Sequence, residues 1–250
     1  PAKSLSQQAQ GMVLKVRDTL IGQRTLLVNT LRGHASEFGV VAGKGVGRVG
    51  SLLAAIEQDA TIPAEARDMI ALLGQQIEHL DIKIKALEAR LNAAHKANAV
   101  SRRLATIPGL GPVTALTLAT EIDPAAFASG RHMAAWIGLT PKEHSTGGKQ
   151  RLVGISRAGN ERLRSLLVVC ATSVIKAATM PASKQMTSWL RGLLQRKPRK
   201  VAAVALANKI ARVAWAVMTY GTVYRRSPTD SEVSFCGMKR RIRLVPHQAA

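Results

Sequence analysis

The sequence predicts an all-α protein: a long helical hairpin or coiled coil, followed by a compact helical unit containing a helix-hairpin-helix-like turn. Two observations carry this. Hydrophobic residues make up 46% of the 250 residues but aromatics only 3%, so the core must be built from Ala, Leu, Val and Ile. Sheet cores lean on aromatic and β-branched side chains, so this composition favours helices. The second observation is apolar spacing by threes and fours in one segment after another.

In the first segment, residues 4–36, Leu5, Met12, Val16, Leu20, Leu27 and Leu31 lie near helical spacing, with Ser, Gln and Arg between them. The next stretch, FGVVAGKGVGRVGSLLAAIEQ, contains Gly45, Gly47 and Gly50 in a GxGxxG string. A dinucleotide fold would need a second strand after the helix, ending in an acidic residue for the ribose. Instead a short helix spans 51–59 and Pro63 interrupts; nor does Gly43-Lys44 continue as GK[ST]. The glycines read as a connector.

From 64 to 99, Ile70, Leu73, Ile77, Leu80, Ile84, Leu87, Leu91 and Ala94 form a heptad seam. With Ile77 at an a position, Asp81 and Glu88 fall at e, and Lys83 and Arg90 at g. Parallel self-pairing would set Lys83 opposite Glu88 of a second copy. Packing of the same seam against helix 4–36 of its own chain is the other solution, and the pattern leaves both open.

Residues 107–115, Ile-Pro-Gly-Leu-Gly-Pro-Val-Thr-Ala, have the helix-hairpin-helix form hPGhGxxxA. Gly109 and Gly111 allow a tight turn that leaves backbone N–H groups exposed at the start of the next helix, where a phosphate could sit. Pro112 in the first helical turn gives up no needed donor. The plain alternative is a structural turn. A helix at 131–138 comes next, with Trp136 expected to pack inward, and then the loop EHSTGGKQRLVGISRAGN, residues 143–160. Helix 160–180 buries Leu163, Leu166, Leu167, Cys170, Val174 and Ile175, leaving Arg162 and Arg164 off that face. Pro181 breaks the pattern, and a basic stretch from Arg191 to Lys200 leads into a last helix at 199–219. Its seam is Val204, Leu206, Ile210, Val213, Ala214 and Val217. The organisation expected is a helical linker with coiled coil at 1–100, a second domain at 101–226, and an unstructured tail at 227–250.

The formal net charge is +21, from 36 basic and 15 acidic residues. Residues 1–100 are nearly balanced, 12 basic against 9 acidic; from Lys142 to Arg226 there are 17 basic residues against Glu143 and Glu161 alone. The second half should therefore face a polyanion. Cys170 and Cys236 are the two cysteines. Cys170 reads as a small buried hydrophobe, and no spacing suggests a metal site or a disulfide framework. Without a signal peptide or an 18-residue apolar span, a cytoplasmic protein with no membrane contact is expected. The chain opens on Pro1 rather than Met and reads as lacking an N-terminal portion.

Two-metal strand transfer needs clustered carboxylates. Between the seam and the tail only Glu121, Asp123, Glu143 and Glu161 are present, and no GxSxG elbow suggests a hydrolase. A serine attacking a phosphodiester needs an exposed hydroxyl, close backbone approach and cations for the transition-state charge. Ser145-Thr-Gly-Gly-Lys149, with Arg151 and Arg157, supplies each. A solvated loop is the bland reading of the same residues.

The ordered run IPGLGPVTA, then HMAAWIGLTPKEHSTGGKQRLVGISRAGNERLRSLL, and the closing LANKIARVAWAVMTYGTVYR resemble the C-terminal domain of DEDD-type insertion-sequence transposases. These are bridge-RNA-guided recombinases, related to the Piv invertase. The resemblance covers 101–225, and the preceding helices are similar to the family's coiled-coil linker. It implies a RuvC-like domain with an Asp-Glu-Asp-Asp site for Mg, which nothing in this sequence matches. That domain's carboxylates would complete a composite site with a serine that becomes covalently linked to DNA. Ser145 matches the serine of the family's SxGGK loop, with Ser156 as the rival. Lys149, Arg151 and Arg157, with Arg162 and Arg164, become phosphate contacts, and the Gly109/Gly111 turn a nucleic-acid backbone contact. DNA, a bridge RNA and further copies of the chain, joined through the coiled coil, are the partners implied. The rival is a non-catalytic nucleic-acid-binding and dimerisation module, a remnant of a transposase.

Overall fold

In a computed structural model, the described residues are 3–149, 151–180 and 187–225. They are mostly helical, with two short strands. The expected tail at 227–250, with Cys236, lies outside them.

Helix α1 (Leu5–Glu37) starts where Ser4 accepts from the Gln7 N–H and Gln7 Oε1 accepts from the Ser4 N–H, a reciprocal capping box. After the glycine-rich connector come α2 (Val49–Gln58) and α3 (Ala64–Ala97), the latter starting directly after Pro63. Gly45 sits at φ 113 ahead of a single 3-10 turn, Val46–Arg48, so the GxGxxG string bends the chain without following a strand.

Helix α3 lies antiparallel against α1. Ile70, Ile77, Ile84 and Leu91, every seventh residue, are 2–3% exposed. Val28, Leu31 and Ala35 of α1 and Leu52 and Ile56 of α2 share a core cluster with Ile70 and Ile77. The polar flanks pair in the same antiparallel sense. Arg17 Nη2 lies 2.5 Å from Glu88 Oε1, and Arg24 binds Asp81. In this structure, then, the a positions of the α3 seam are covered from within the chain, Leu73, Leu80 and Leu87 are partly buried, and the e-position carboxylates meet α1 arginines.

Asn98 ends α3 and caps α4 (Ala99–Leu104), accepting from Ser101 N–H. The next turn leads into α5 (Pro112–Glu121), with Pro112 at its first position. α5 is buried on two sides. Leu116 joins Leu14 of α1 and Leu91 of α3, while Leu118 belongs to the large second core. Fully burying a leucine stabilises by about 1.5–3 kcal/mol, so α5 fastens the hairpin to the second core.

That second core is built from α6 (Gly130–Trp136), α7 (Glu161–Ala178), α8 (Ser188–Arg196) and α9 (Arg199–Tyr220). α9 is its axis. Ala202, Ala203, Leu206, Ala207, Ile210, Ala211, Val213, Ala214, Ala216 and Val217 are all buried, so small alanines let α7 and α6 approach on two sides. The expected seam therefore widens to a broad face of the helix, with Val204 only partly buried. α9 is the single helix among the described residues long and apolar enough to cross a bilayer, and its buried residues are the core itself. Trp136 departs from expectation. It is 44% exposed, with its ring edge-on to Phe127 at 5.5 Å, because it lies with Ala135 on the outer side of α6 while Met133, Ala134 and Ile137 take the core positions.

The stretch expected as a loop in an all-helical chain is a two-stranded ribbon, β1 (Pro141–Glu143) antiparallel to β2 (Leu152–Ile155). Its two strands are exposed, which is why no long apolar alternation announced them.

Candidate active site

The ribbon's tip is shaped by two glycines. Gly147 and Gly148 have φ of 57° and 75°, as a two-residue type I′ hairpin turn requires, and Thr146 and Lys149 bridge across it. Towards the base the register slips by one: Pro141 faces Ile155, whereas Glu143 faces Leu152. β2 thus holds an extra residue, a bulge of the kind that bends a ribbon and re-aims its side chains.

Ser145 stands between Glu143 and the tip, exposed. Its Oγ donates to Glu143 Oε1 at 2.7 Å and accepts from the Arg151 backbone N–H at 3.1 Å. Residues two apart in extended chain point to the same side, so the pairing of Glu143 with Ser145 could be read from sequence spacing once the strand is known. Lys149, Arg151 and Arg157 are exposed and carry no ion pair among the described residues. The rival hydroxyl differs. Ser156 donates its backbone N–H to Thr140 O at 2.8 Å, while its Oγ is buried with no partner.

The base of the ribbon is clamped. Gly138 (φ 80) and Gly159 (φ 73) lie backbone to backbone across it: a Cβ on Gly159 would stand 1.8 Å from Trp136 O, and one on Gly138 2.3 Å from Ala158 O. Arg164 Nη1 donates to both Ile137 O (3.0 Å) and Ala158 O (2.9 Å), tying the two chain segments together. Arg157 is held at φ 57, a left-handed conformation that costs a non-glycine residue about 1–2 kcal/mol. The tight fit around Gly138 and Gly159 maintains it.

Asn160 caps α7 through the Leu163 N–H and donates from Nδ2 to Glu121. Arg162 sits at the centre of this junction, bonded to Asp18 of α1 and, at 2.8 Å, to Glu121 of α5. Of the five cations expected to meet phosphate, Arg162 and Arg164 are thus engaged with carboxylates and carbonyls inside the protein. Lys149, Arg151 and Arg157 are exposed and form no ion pair among the described residues. In the helix-hairpin-helix turn, Gly109 (φ 87) faces α7, where a Cβ would lie 2.9 Å from Cys170 O; around Gly111 there is open space. The turn itself stays exposed from Pro108 to Pro112 except at Leu110.

Among the described residues no three His, Cys, Asp or Glu side chains converge as metal ligands. Glu121 is held by Arg162 and Asn160, and Glu143 by Ser145. These carboxylates do not form a metal-binding set. A lysine shift among the described residues lies elsewhere. Lys209, 4.2 Å above the Trp189 ring, has its pKa lowered by burial and then by Arg212.

Residues 101–188, which include the ribbon, match the Transposase IS116/IS110/IS902 family. A Sinorhizobium fredii protein described as a transposase is 50% identical over 235 residues, 94% of this chain and 61% of that protein. A family 20 transposase of Pseudomonas aeruginosa is 39% identical over 229 residues, 90% of this chain and 68% of its own length. The pilin gene-inverting protein of Moraxella bovis is 30% identical over 155 residues, 60% of this chain and 46% of that protein. The chain thus spans about three fifths to two thirds of the two transposases.

Proposed function

Since the chain belongs to the IS116/IS110/IS902 family of transposases, we propose that its ribbon is the DNA-attacking part of a recombinase, with Ser145 Oγ as nucleophile on a phosphodiester. The observation that carries this is the state of one hydroxyl. It is exposed, hydrogen-bonded on both sides, and set beside a two-glycine tip, with Lys149 and Arg151 on the same end of the ribbon and neither in an ion pair among the described residues. The glycines let a phosphate approach the backbone, and Lys149 and Arg151 oppose the charge that builds on its oxygens, while Arg157, at the ribbon's base, meets a phosphate farther along the strand. Ser156 lacks that access because its Oγ faces inward.

Attack by a serine conserves the phosphodiester energy in a protein–DNA link, which suits rearrangement of DNA better than hydrolysis. Similarity to a pilin gene-inverting protein supports the same class of outcome. In this reading, Mg-binding carboxylates come from a RuvC-like domain outside these residues, and a guide RNA is a second polyanion for the basic half. Self-association uses the outward faces of the hairpin, where Met12, Val16, Leu72 and Ile82 are exposed, since the a positions of the α3 seam are already buried.

The test is covalent capture. The complete protein with its DNA should give an adduct that survives denaturing electrophoresis, lost in Ser145→Ala and kept in Ser156→Ala. An adduct that persists in Ser145→Ala overturns the assignment. A complete protein that binds DNA and never forms an adduct favours the non-catalytic binding module.

A further inference from the structure

The geometry points to Glu143 as the base that takes the proton from Ser145. This rests on Ser145 being the attacking hydroxyl and adds the group that makes it attack. A serine hydroxyl is a weak nucleophile, and an adjacent base within about 2.6–3.2 Å is the usual means of activating it. Glu143 Oε1 accepts the Ser145 O–H at 2.7 Å, within that reach. The second contact points the same way. The Arg151 N–H donates to Oγ at 3.1 Å, so the hydroxyl is fixed as donor to the carboxylate and acceptor from the backbone, leaving one lone pair for phosphorus.

The ribbon supplies both partners through its own register. Glu143 and Ser145 lie two apart on one strand, and the pairing of His144 N–H with Arg151 O brings Arg151 opposite. Glu143 meets no lysine or arginine in an ion pair among the described residues, so its charge is not spent on a neighbour. In the step, the Oγ–P bond forms as the Oγ proton passes to Glu143. The bond from phosphorus to the leaving deoxyribose oxygen breaks, and that oxygen takes a proton from water. In the reverse reaction Glu143 returns the proton to Oγ as the DNA backbone is resealed.

Glu143→Gln tests this cleanly, because glutamine keeps an acceptor oxygen for the Ser145 hydroxyl and loses only the capacity to take its proton. In the complete protein, adduct formation on a cognate DNA duplex should slow by about 100-fold or more at neutral pH, with DNA affinity unchanged. The residual rate of this variant should climb about tenfold per pH unit, as hydroxide does the work of the carboxylate, while the wild-type rate stays flat over the same range. The other ionisable side chains on the ribbon and its base are Lys142, His144, Lys149, Arg151 and Arg157. His144, which can also accept a proton, is the control, and His144→Gln should stay near wild type.

Adduct formation by Glu143→Gln within about threefold of wild type at every pH would overturn the proposal, as would a large loss in His144→Gln alone. The two readings separate. If Ser145→Ala abolishes the adduct and Glu143→Gln does not slow it, the nucleophile stands and the base falls. If Ser145→Ala still forms the adduct, the nucleophile falls first.

Discussion

Replacing Gly159 by alanine should damage the fold more than any other single methyl added to the ribbon region. Gly159 sits at φ 73, and a Cβ there would stand 1.8 Å from the carbonyl oxygen of Trp136. The left-handed conformation alone costs a residue with a Cβ about 1–2 kcal/mol. The overlap is with backbone, so it is relieved only by parting the two segments that Arg164 joins through Ile137 O and Ala158 O. Hydrogen bonds to a charged group contribute roughly 1.5–3 kcal/mol each, and losing the equivalent of one brings the total to about 2.5–5 kcal/mol. For a chain of this size that is a fall in Tm of roughly 10 °C. Gly154→Ala is the control: it lies in β2, its φ is not positive, and a Cβ there meets nothing within 4 Å. Denaturant titration of both variants checks the reasoning. If Gly159→Ala unfolds within about 0.5 kcal/mol of Gly154→Ala, the close approach at the ribbon's base is wrong.

The charges give two further expected outcomes. Arg162→Met should destabilise by about 2–3 kcal/mol in the same titration, because it leaves the charge of Glu121, whose side chain is 11% exposed, without its cation and held by the Asn160 amide. Adding Glu121→Leu should restore at least half of that loss, and no restoration would mean that Arg162 stabilises by something other than this pair. Replacing Lys149, Arg151 and Arg157 together by alanine should flatten the slope of log Kobs against log salt for duplex DNA by up to about 2.7, near 0.9 per phosphate lost. An unchanged slope would show that none of the three meets a phosphate.

The helices were legible because their cores repeat at helical spacing. Ile70, Ile77, Ile84 and Leu91 announce α3, and Leu163, Leu167, Cys170 and Ile175 announce α7. Which helix would cover α3 was not legible. A heptad seam is satisfied equally by a second copy or by α1, and only the placing of Arg17 and Arg24 across from Glu88 and Asp81 distinguishes them. The ribbon was hidden because an exposed pair of strands buries neither face, so β1 and β2 show no apolar alternation. Ser145 and its cations stood out by composition, whereas Glu143 counted only as one of few carboxylates until the strand put it beside the hydroxyl. Arg162 and Arg164 mislead for a related reason: arginines off an apolar face can serve solvent, nucleic acid or a buried acceptor, and periodicity does not separate these. The reverse holds for Gly138 and Gly159. Their role depends on the meeting of two segments well separated in sequence, which local pattern does not reveal.

With Ser145 as nucleophile, DNA becomes attached to one particular oxygen. The direct measurement is to trap the protein–DNA adduct of the complete protein, digest it with nuclease and trypsin, and find the peptide that carries the nucleotide. Cleavage after Lys142 and Lys149 gives EHSTGGK, which holds Ser145, and cleavage after Arg151 and Arg157 gives LVGISR, which holds Ser156. The nucleotide is expected on EHSTGGK, at Ser145. A nucleotide on LVGISR, or on neither, would contradict the assignment.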